Sequence, residues 1–307
     1  MIKRDYDDLS RLLKKGKVVV IYGPRRVGKT TLIANFVKDT KLKYRFDSGD
    51  NIETRNIFLS QSLKAISRYV EGYDLIAIDE AQRIPNVGLG LKILVDNFPN
   101  LFVVITGSAS LDLSYKIGEP LVGRKYTYRL YPLWVWELSI NKTPFEINEQ
   151  KAERIIFGSY PEVINANTVN EKIKILEENV SSYLFKEIIE IEQIRNTKLL
   201  LDLLKLIAFQ VGNEVSLTEL GKSLGVDRKT VQRYLNLFEQ AFILYNLRGF
   251  SRNLRKEVTK KSKYYFWDNG IRNAIIKNFN DLGTRDDVGA LWENYLVSER
   301  LKKQEYK

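Results

Sequence analysis

The 307-residue sequence contains no cysteine and no histidine. Without cysteine there can be no disulfide, no thiolate zinc site and no cysteine nucleophile. Without histidine there is no imidazole base, no Ser-His-Asp triad and no imidazole metal ligand. Acid–base work therefore falls to Asp, Glu, Lys or Tyr, and any metal is a hard cation held by oxygen, Mg²⁺ first. No apolar run approaches the roughly 18 residues a membrane-spanning helix needs, so no membrane partner is expected. The opening residues, Met1-Ile-Lys-Arg-Asp-Tyr-Asp-Asp8, are charged and unlike a secretory signal, so a cytoplasmic location is expected. Internal repeats and low-complexity tracts are also missing.

What the chain does have is positive charge. Lys and Arg number 49 against 38 Asp and Glu, a net charge of +11, which suits a polyanionic partner and nucleic acid first. With 44% hydrophobic residues the chain is of the ordinary globular kind, long enough for two or three domains.

The sequence is organised around Gly23-Pro24-Arg25-Arg26-Val27-Gly28-Lys29-Thr30, which has the G-x-x-x-x-G-K-[ST] spacing of a phosphate-binding loop. Val18–Tyr22 before it reads as a buried strand, and Thr30–Val37 after it has helical spacing. Backbone N–H groups over residues 25–30 can wrap a phosphate, and Gly23 and Gly28 permit dihedrals and approaches that a Cβ forbids. The helix start adds its positive dipole end. The expected nucleotide-binding set is residues 23–31, ending at Thr31. Within it Lys29 reaches the β- and γ-phosphates of ATP, and Thr30 places its hydroxyl on Mg²⁺.

A second strand is expected at Lys43–Asp47, a third at Leu75–Ile78, a fourth at Leu101–Ile105 and a fifth at Tyr126–Tyr131. Helices are expected between them, and residues 1–15 read as a short amphipathic helix. Alternating apolar strands and amphipathic helices predict an α/β fold, a parallel sheet of about five strands covered on both faces. The third strand ends in Asp79-Glu80. Beside a phosphate loop, Asp79 completes the Mg²⁺ shell and Glu80 polarises water for attack on the γ-phosphate. Thr106 or Ser108 can contact that water or the phosphate, or simply make a turn. Arg124 can act as an arginine finger, in cis or from a neighbouring subunit of a homo-oligomer, or be a solvated surface side chain.

After residue 140 the pattern changes. Residues 141–211 read as helical, broken at Gly158-Ser-Tyr-Pro161, with a long helix or helix pair over 173–194. Residues 212–267 read as a winged helix: a short helix, a turn at Gly225-Val226, a second helix capped by Asp227, then two strands around a basic loop. Leu220, Val226, Val231 and Leu235 face inward in that reading. Arg228, Lys229 and Arg233 lie on the second helix, with Tyr234 beside them. From Arg248 to Lys263 there are seven basic residues and one Glu, among them Arg252, Arg255 and Lys256. As a reader of double-stranded DNA, this module would set the helix basics in the major groove and the loop basics on phosphates. As a solvated basic face, it would instead contact protein.

The motifs at 23–30, Ile78-Asp-Glu-Ala-Gln82, Thr106-Gly-Ser108 and Gly123-Arg124 resemble those of archaeal and bacterial AAA+-type P-loop ATPases. So do Tyr131-Pro-Leu133 with Glu137 and Gly158–Val163. Arg252-x-x-Arg-Lys256, Tyr264-x-Phe-x-Asp268-x-Gly270 and Gly289-x-x-x-Glu293-Asn294 resemble the C-terminal module of unknown function of that group. The resemblance implies domains at 1–140 (ATPase), 141–211 (helical lid or linker), 212–267 (winged helix) and 268–307 (a partial module). In relatives that module is similar to restriction endonucleases, which makes Glu293 the helix glutamate before the catalytic acids. The strand carrying those acids does not follow here, so no nuclease activity is expected. A shortened or remnant module would leave residues 286–307 poorly anchored. Two functions follow: ATP hydrolysis coupled to DNA, or a slow nucleotide-dependent switch acting through protein contacts. A small-molecule kinase fits the Asp-Glu pair less well.

Overall fold

The computed structural model describes residues 2–107, 120–184, 196–249 and 262–307. The chain divides into two compact units, Lys3–Leu130 and Tyr131–Lys307. The segments 141–211, 212–267 and 268–307 all lie within the second of these units.

The first unit is built on five parallel strands: β1 (Val18–Tyr22), β2 (Tyr44–Ser48), β3 (Leu75–Asp79), β4 (Phe102–Gly107) and β5 (Lys125–Arg129). Their order across the sheet is β2-β3-β4-β1-β5. Helices α1 (Lys29–Asp39), α2 (Ile52–Leu59), α3 (Leu63–Val70) and α4 (Val87–Asn97) connect them and cover both faces. Every residue of β1 and β3 is buried, which is why these strands read as unbroken apolar runs. Each fully buried Val, Ile or Leu contributes about 1.5–3 kcal/mol relative to an exposed one, so the centre of the sheet dominates the stability of this unit. The edge strands β2 and β5 are polar and half-exposed.

Residues 1–15 do not form the expected amphipathic helix. A single 3₁₀ turn spans Leu9–Arg11. A side chain competes for the backbone here, the Arg4 N–H donating to Asp7 Oδ2 at 2.8 Å, and the Ser10 hydroxyl donates to the Asp8 side chain.

The second unit begins with helices α5 (Val135–Ser139), α6 (Pro144–Glu149), α7 (Lys151–Phe157), α8 (Pro161–Asn165) and α9 (Val169–Glu178). A π-helical stretch, Asn179–Leu184, continues from α9, and the remainder of the helix expected to run to 194 lies outside the described residues. Then come α10 (Thr197–Phe209), β6 (Glu214–Val215), α11 (Leu217–Leu224) and α12 (Arg228–Gln240). The antiparallel pair β7 (Leu244–Leu247) and β8 (Ser262–Phe266) follows, with β6 on the other side of β8. Leu220, Val231 and Leu235 are buried as expected, whereas Val226 is only half-buried at the turn. The chain closes with α13 (Asn269–Ile276) and α14 (Val288–Tyr306).

The poor anchoring expected of residues 286–307 is not found. Asn294, fully buried in α14, accepts from the Phe266 N–H at 2.7 Å and donates to the Phe266 carbonyl at 3.0 Å, so one amide side chain satisfies both backbone groups. Lys302, also buried, donates to the Leu133 carbonyl and to Glu299. Glu299 accepts from the Val135 N–H at 2.6 Å, and the Tyr131 N–H donates to the Tyr306 hydroxyl at 2.9 Å. Asp268 caps α13 and accepts from the Ser159 N–H at 2.7 Å. Complete burial pushes its carboxyl above the ordinary range, partly offset by the Lys302 charge and the backbone N–H groups around it. Much of the C-terminal motif is therefore explained by packing within this unit.

Candidate active site

The phosphate loop leaves the carboxyl end of β1 and enters α1. Gly23 is required by close approach, because a Cβ there would lie 2.0 Å from the Leu130 carbonyl oxygen at the end of the neighbouring strand. Gly28 stands at the start of α1 with φ of +94°, a left-handed conformation that side chains disfavour. Arg26 also takes positive φ, at +61°, without being glycine, and such backbone strain clusters at functional loops. Pro24 and Val27 are buried, Arg25 and Arg26 half-buried. The Val27 carbonyl is held by the Arg4 guanidinium at 2.8 Å, an interaction with no signature in the sequence.

Lys29 is buried, with its ammonium on the Gly23 and Pro24 carbonyls at 2.9 and 2.8 Å. The loop thus folds over its own lysine. Thr30 and Thr31 are exposed. The Thr30 hydroxyl donates to Asp79 Oδ2 at 2.7 Å, joining the first turn of α1 to the end of β3.

Asp79 and Glu80 leave β3 toward the same end of the sheet. The buried Thr106 hydroxyl, at the end of β4, donates to the other Asp79 oxygen and accepts from the Glu80 N–H at 3.0 Å. Thr106 therefore holds the acidic pair. Ser108 lies outside the described residues. Glu80 has φ of +51°, and its carboxylate accepts from Gln82 in the 3₁₀ turn Ala81–Arg83. In the sequence Gln82 stands out only as part of a motif; its hydrogen bond depends on a turn that periodicity does not reveal.

Arg124 is corrected as a group acting in its own chain's site. It immediately precedes β5, and β5 runs parallel to β1 with Val18 opposite Lys125 and Tyr22 opposite Arg129. The phosphate loop follows Tyr22, so Arg124 stands at the far end of the sheet, more than about 13 Å away along the strand. There it pairs with Asp96 at 2.5 Å. That hydrogen bond raises the guanidinium and lowers the Asp96 carboxyl relative to their ordinary values. The arginine at the loop end of β5 is Arg129, whose Nε donates to the Tyr22 hydroxyl at 2.6 Å.

In the second unit, Arg228, Lys229 and Arg233 are exposed on α12, while Tyr234 is buried with its ring 5.2 Å from the Arg233 guanidinium. Tyr234 is thus a packing residue and is not displayed for a nucleic-acid backbone. Arg252, Arg255 and Lys256 lie outside the described residues. Glu293 accepts from the Tyr265 hydroxyl at 2.6 Å, which, together with burial, pushes that phenol up. Among the described residues no group of three acidic side chains is placed to hold a metal ion. No described helix is long and apolar enough to cross a membrane.

The donor set at the loop fits Mg²⁺. The Thr30 hydroxyl and the Asp79 carboxylate are hard oxygen donors within 2.7 Å of one another. Mg²⁺ commonly takes one or two such protein ligands and completes its octahedron with phosphate and water.

Comparisons with known proteins agree with this geometry. Residues 15–139 match an AAA domain, and residues 148–282 match a domain of unknown function, DUF8612. An uncharacterized protein of Mycobacterium tuberculosis is 27% identical over 296 residues, covering 95% of this chain and 64% of its own length. An uncharacterized protein of Methanocaldococcus jannaschii is 28% identical over 313 residues, covering 95% of this chain and 68% of its own. The chain thus spans somewhat under two thirds of the mycobacterial relative. The Walker-type ATPase PABY2304 of Pyrococcus abyssi has a similar fold, with a TM-score of 0.56 at 15% identity over 90% of this chain and 96% of its own. The phosphate loop on β1 and the acidic pair on β3 both lie inside residues 15–139, the stretch that matches an AAA domain.

Proposed function

We propose that the chain binds ATP with Mg²⁺, hydrolyses it, and couples turnover to double-stranded DNA held by residues 212–267. The observation that supports this most is the convergence of Lys29, Thr30, Asp79, Thr106 and Glu80 at one end of the sheet. Residues 23–31 would cradle the phosphates, with the Lys29 ammonium exchanging its loop carbonyls for β- and γ-phosphate oxygens. Thr30 and Asp79 would hold Mg²⁺, which when bound offsets phosphate charge. Glu80 would accept a proton from the attacking water, and Gln82 would orient its carboxylate. Thr106 would fix Asp79 and the Glu80 backbone together.

We read α11, the turn, α12 and the strands β6 to β8 as a winged helix. Arg228, Lys229 and Arg233 would enter a groove, and Arg252, Arg255 and Lys256 would follow phosphates. ATP turnover measured with and without duplex DNA tests the coupling. Stimulation supports it. Turnover indifferent to DNA, with no binding at low salt, would assign the alternative role of a nucleotide-dependent switch acting on a protein. Working in the cytoplasm, and as a homo-oligomer in which Arg124 reaches a neighbouring subunit, belongs to the same proposal.

A further inference from the structure

Arg4 holds the phosphate loop from outside the loop's own motif. Its Nη1 donates to the Val27 carbonyl at 2.8 Å. A short turn braces the arginine. The Arg4 N–H donates to Asp7 Oδ2 at 2.8 Å, and the Asp7 N–H donates to the Arg4 carbonyl at 3.1 Å. Within that turn the half-buried Tyr6 meets the Tyr128 ring edge to face, with centroids 5.6 Å apart. Tyr128 stands on β5 opposite Ile21, two residues before Gly23. Leu9, just beyond the turn, is fully buried. The segment that carries Arg4 is therefore pinned beside the loop end of the sheet.

The contact has a direction. A trans peptide unit points its carbonyl and the N–H that follows in opposite senses, and the Val27–Gly28 peptide is trans. With the Val27 carbonyl turned to Arg4, the Gly28 N–H is turned away from it. Arg26 and Gly28 flank Val27 with φ of +61° and +94°. Left-handed residues spaced in this way gather successive N–H groups into a nest for an anion. A flip of the Val27–Gly28 plane would take one donor out of that nest, and the Arg4 hydrogen bond opposes the flip.

We infer that Arg4 is a positioning residue for the diphosphate of a nucleotide: by fixing the Val27 carbonyl it keeps the Gly28 N–H aimed at the phosphate that the loop cradles. This rests on the nucleotide reading of the first unit and adds to it a residue that lies outside 23–31. The phosphate concerned is present in ADP and ATP alike and is not the one transferred. Loss of Arg4 should therefore weaken both nucleotides by the same factor and leave turnover at saturation unchanged.

Fluorescent-nucleotide titration of the full chain, with ADP and with ATP, tests this on wild type, Lys29→Ala, Arg4→Met and Arg4→Lys, each also followed by urea denaturation. Wild type should bind both nucleotides, and Lys29→Ala should bind neither. Arg4→Met keeps the aliphatic stem and loses the donor; it should bind both about tenfold more weakly. Arg4→Lys keeps a donor for the one carbonyl and should recover most of that loss. The loss should persist in about 0.5 M salt, where a through-space effect of the removed charge is screened. Wild type that binds neither nucleotide would overturn the nucleotide reading and this inference together. Where wild type binds both, unchanged affinity in Arg4→Met, whether or not its stability falls, overturns this inference alone. So does a loss confined to low salt, or one that Arg4→Lys fails to recover.

Discussion

The Thr30 hydroxyl and the Asp79 carboxylate meet at 2.7 Å, although 49 residues separate them in the chain. One belongs to the turn that follows β1 and the other to the end of β3, with β4 between these strands. Parallel strands bring both to the carboxyl edge of the sheet, where ligands of open α/β folds bind. Thr106, from the end of β4, closes the gap between them.

Replacing Thr106 by Val should disturb the site while keeping its shape. Asp79 would lose a donor, and the Glu80 N–H would lose its acceptor. Leaving a buried group unsatisfied costs about 1–3 kcal/mol, which urea denaturation would register. Looser placement of Glu80 should lower ATP turnover by about 10- to 100-fold. Wild-type turnover in this variant would show that Thr106 does not position the pair.

Gly23→Ala places a methyl against the Leu130 carbonyl. Both atoms are backbone-fixed, so β1 and β5 must separate at the loop end. A destabilisation of roughly 2–4 kcal/mol is expected, together with failure to bind ATP. Fluorescent-nucleotide titration and denaturation of the same sample check it. Normal stability and affinity would mean that the loop tolerates a different path.

Asp287 controls an acid-sensitive link in the second unit. Burial alone would raise its carboxyl, but hydrogen bonds from Arg285 and Arg272 outweigh burial and hold it at about 2. A depressed carboxyl stabilises the fold above its unfolded value, near 3.9, and that contribution disappears as pH falls toward 2. Discounted for partial exposure, it amounts to about 1–2 kcal/mol. Asp268, raised by burial, acts in the opposite sense: its contribution weakens as pH rises through its folded value. Thermal melts from pH 5 to 2 should show a shallower decline for Asp287→Asn than for wild type. Parallel curves would exclude Asp287 as the source.

Replacing Arg228, Lys229 and Arg233 together by Ala should leave stability within about 0.5 kcal/mol per site, because all three are exposed. Duplex binding should weaken, and the slope of log affinity against log salt should fall by about one for each phosphate no longer neutralised. An unchanged slope would remove α12 from the proposed nucleic-acid interface.

The legibility of this chain depended on where its signals were local. β1, β3 and β4 are buried on both sides and read directly as apolar runs, and the phosphate loop and acidic pair follow them immediately. β6 is two residues long and pairs only through tertiary structure, so no periodicity marks it. Within residues 1–15 the Asp7 carboxylate takes the Arg4 N–H, a local hydrogen bond that a count of apolar spacings misses. Arg124 resists placement from sequence because its motif carries no distance; that β5 lies beside β1, and in which register, is a property of the sheet. Asn294 and Asp268 resemble parts of a module of unknown function, and packing explains both.

The most direct measurement compares wild type with Glu80→Gln, titrating ATP and Mg²⁺ binding and following phosphate release in the same preparations. Removing a general base typically costs about 10²- to 10⁴-fold in rate. ATP binding should stay within about threefold of wild type, because Lys29 and Thr30 are untouched, while turnover falls by at least about 100-fold. Hydrolysis at the wild-type rate by Glu80→Gln would contradict the assignment of this site.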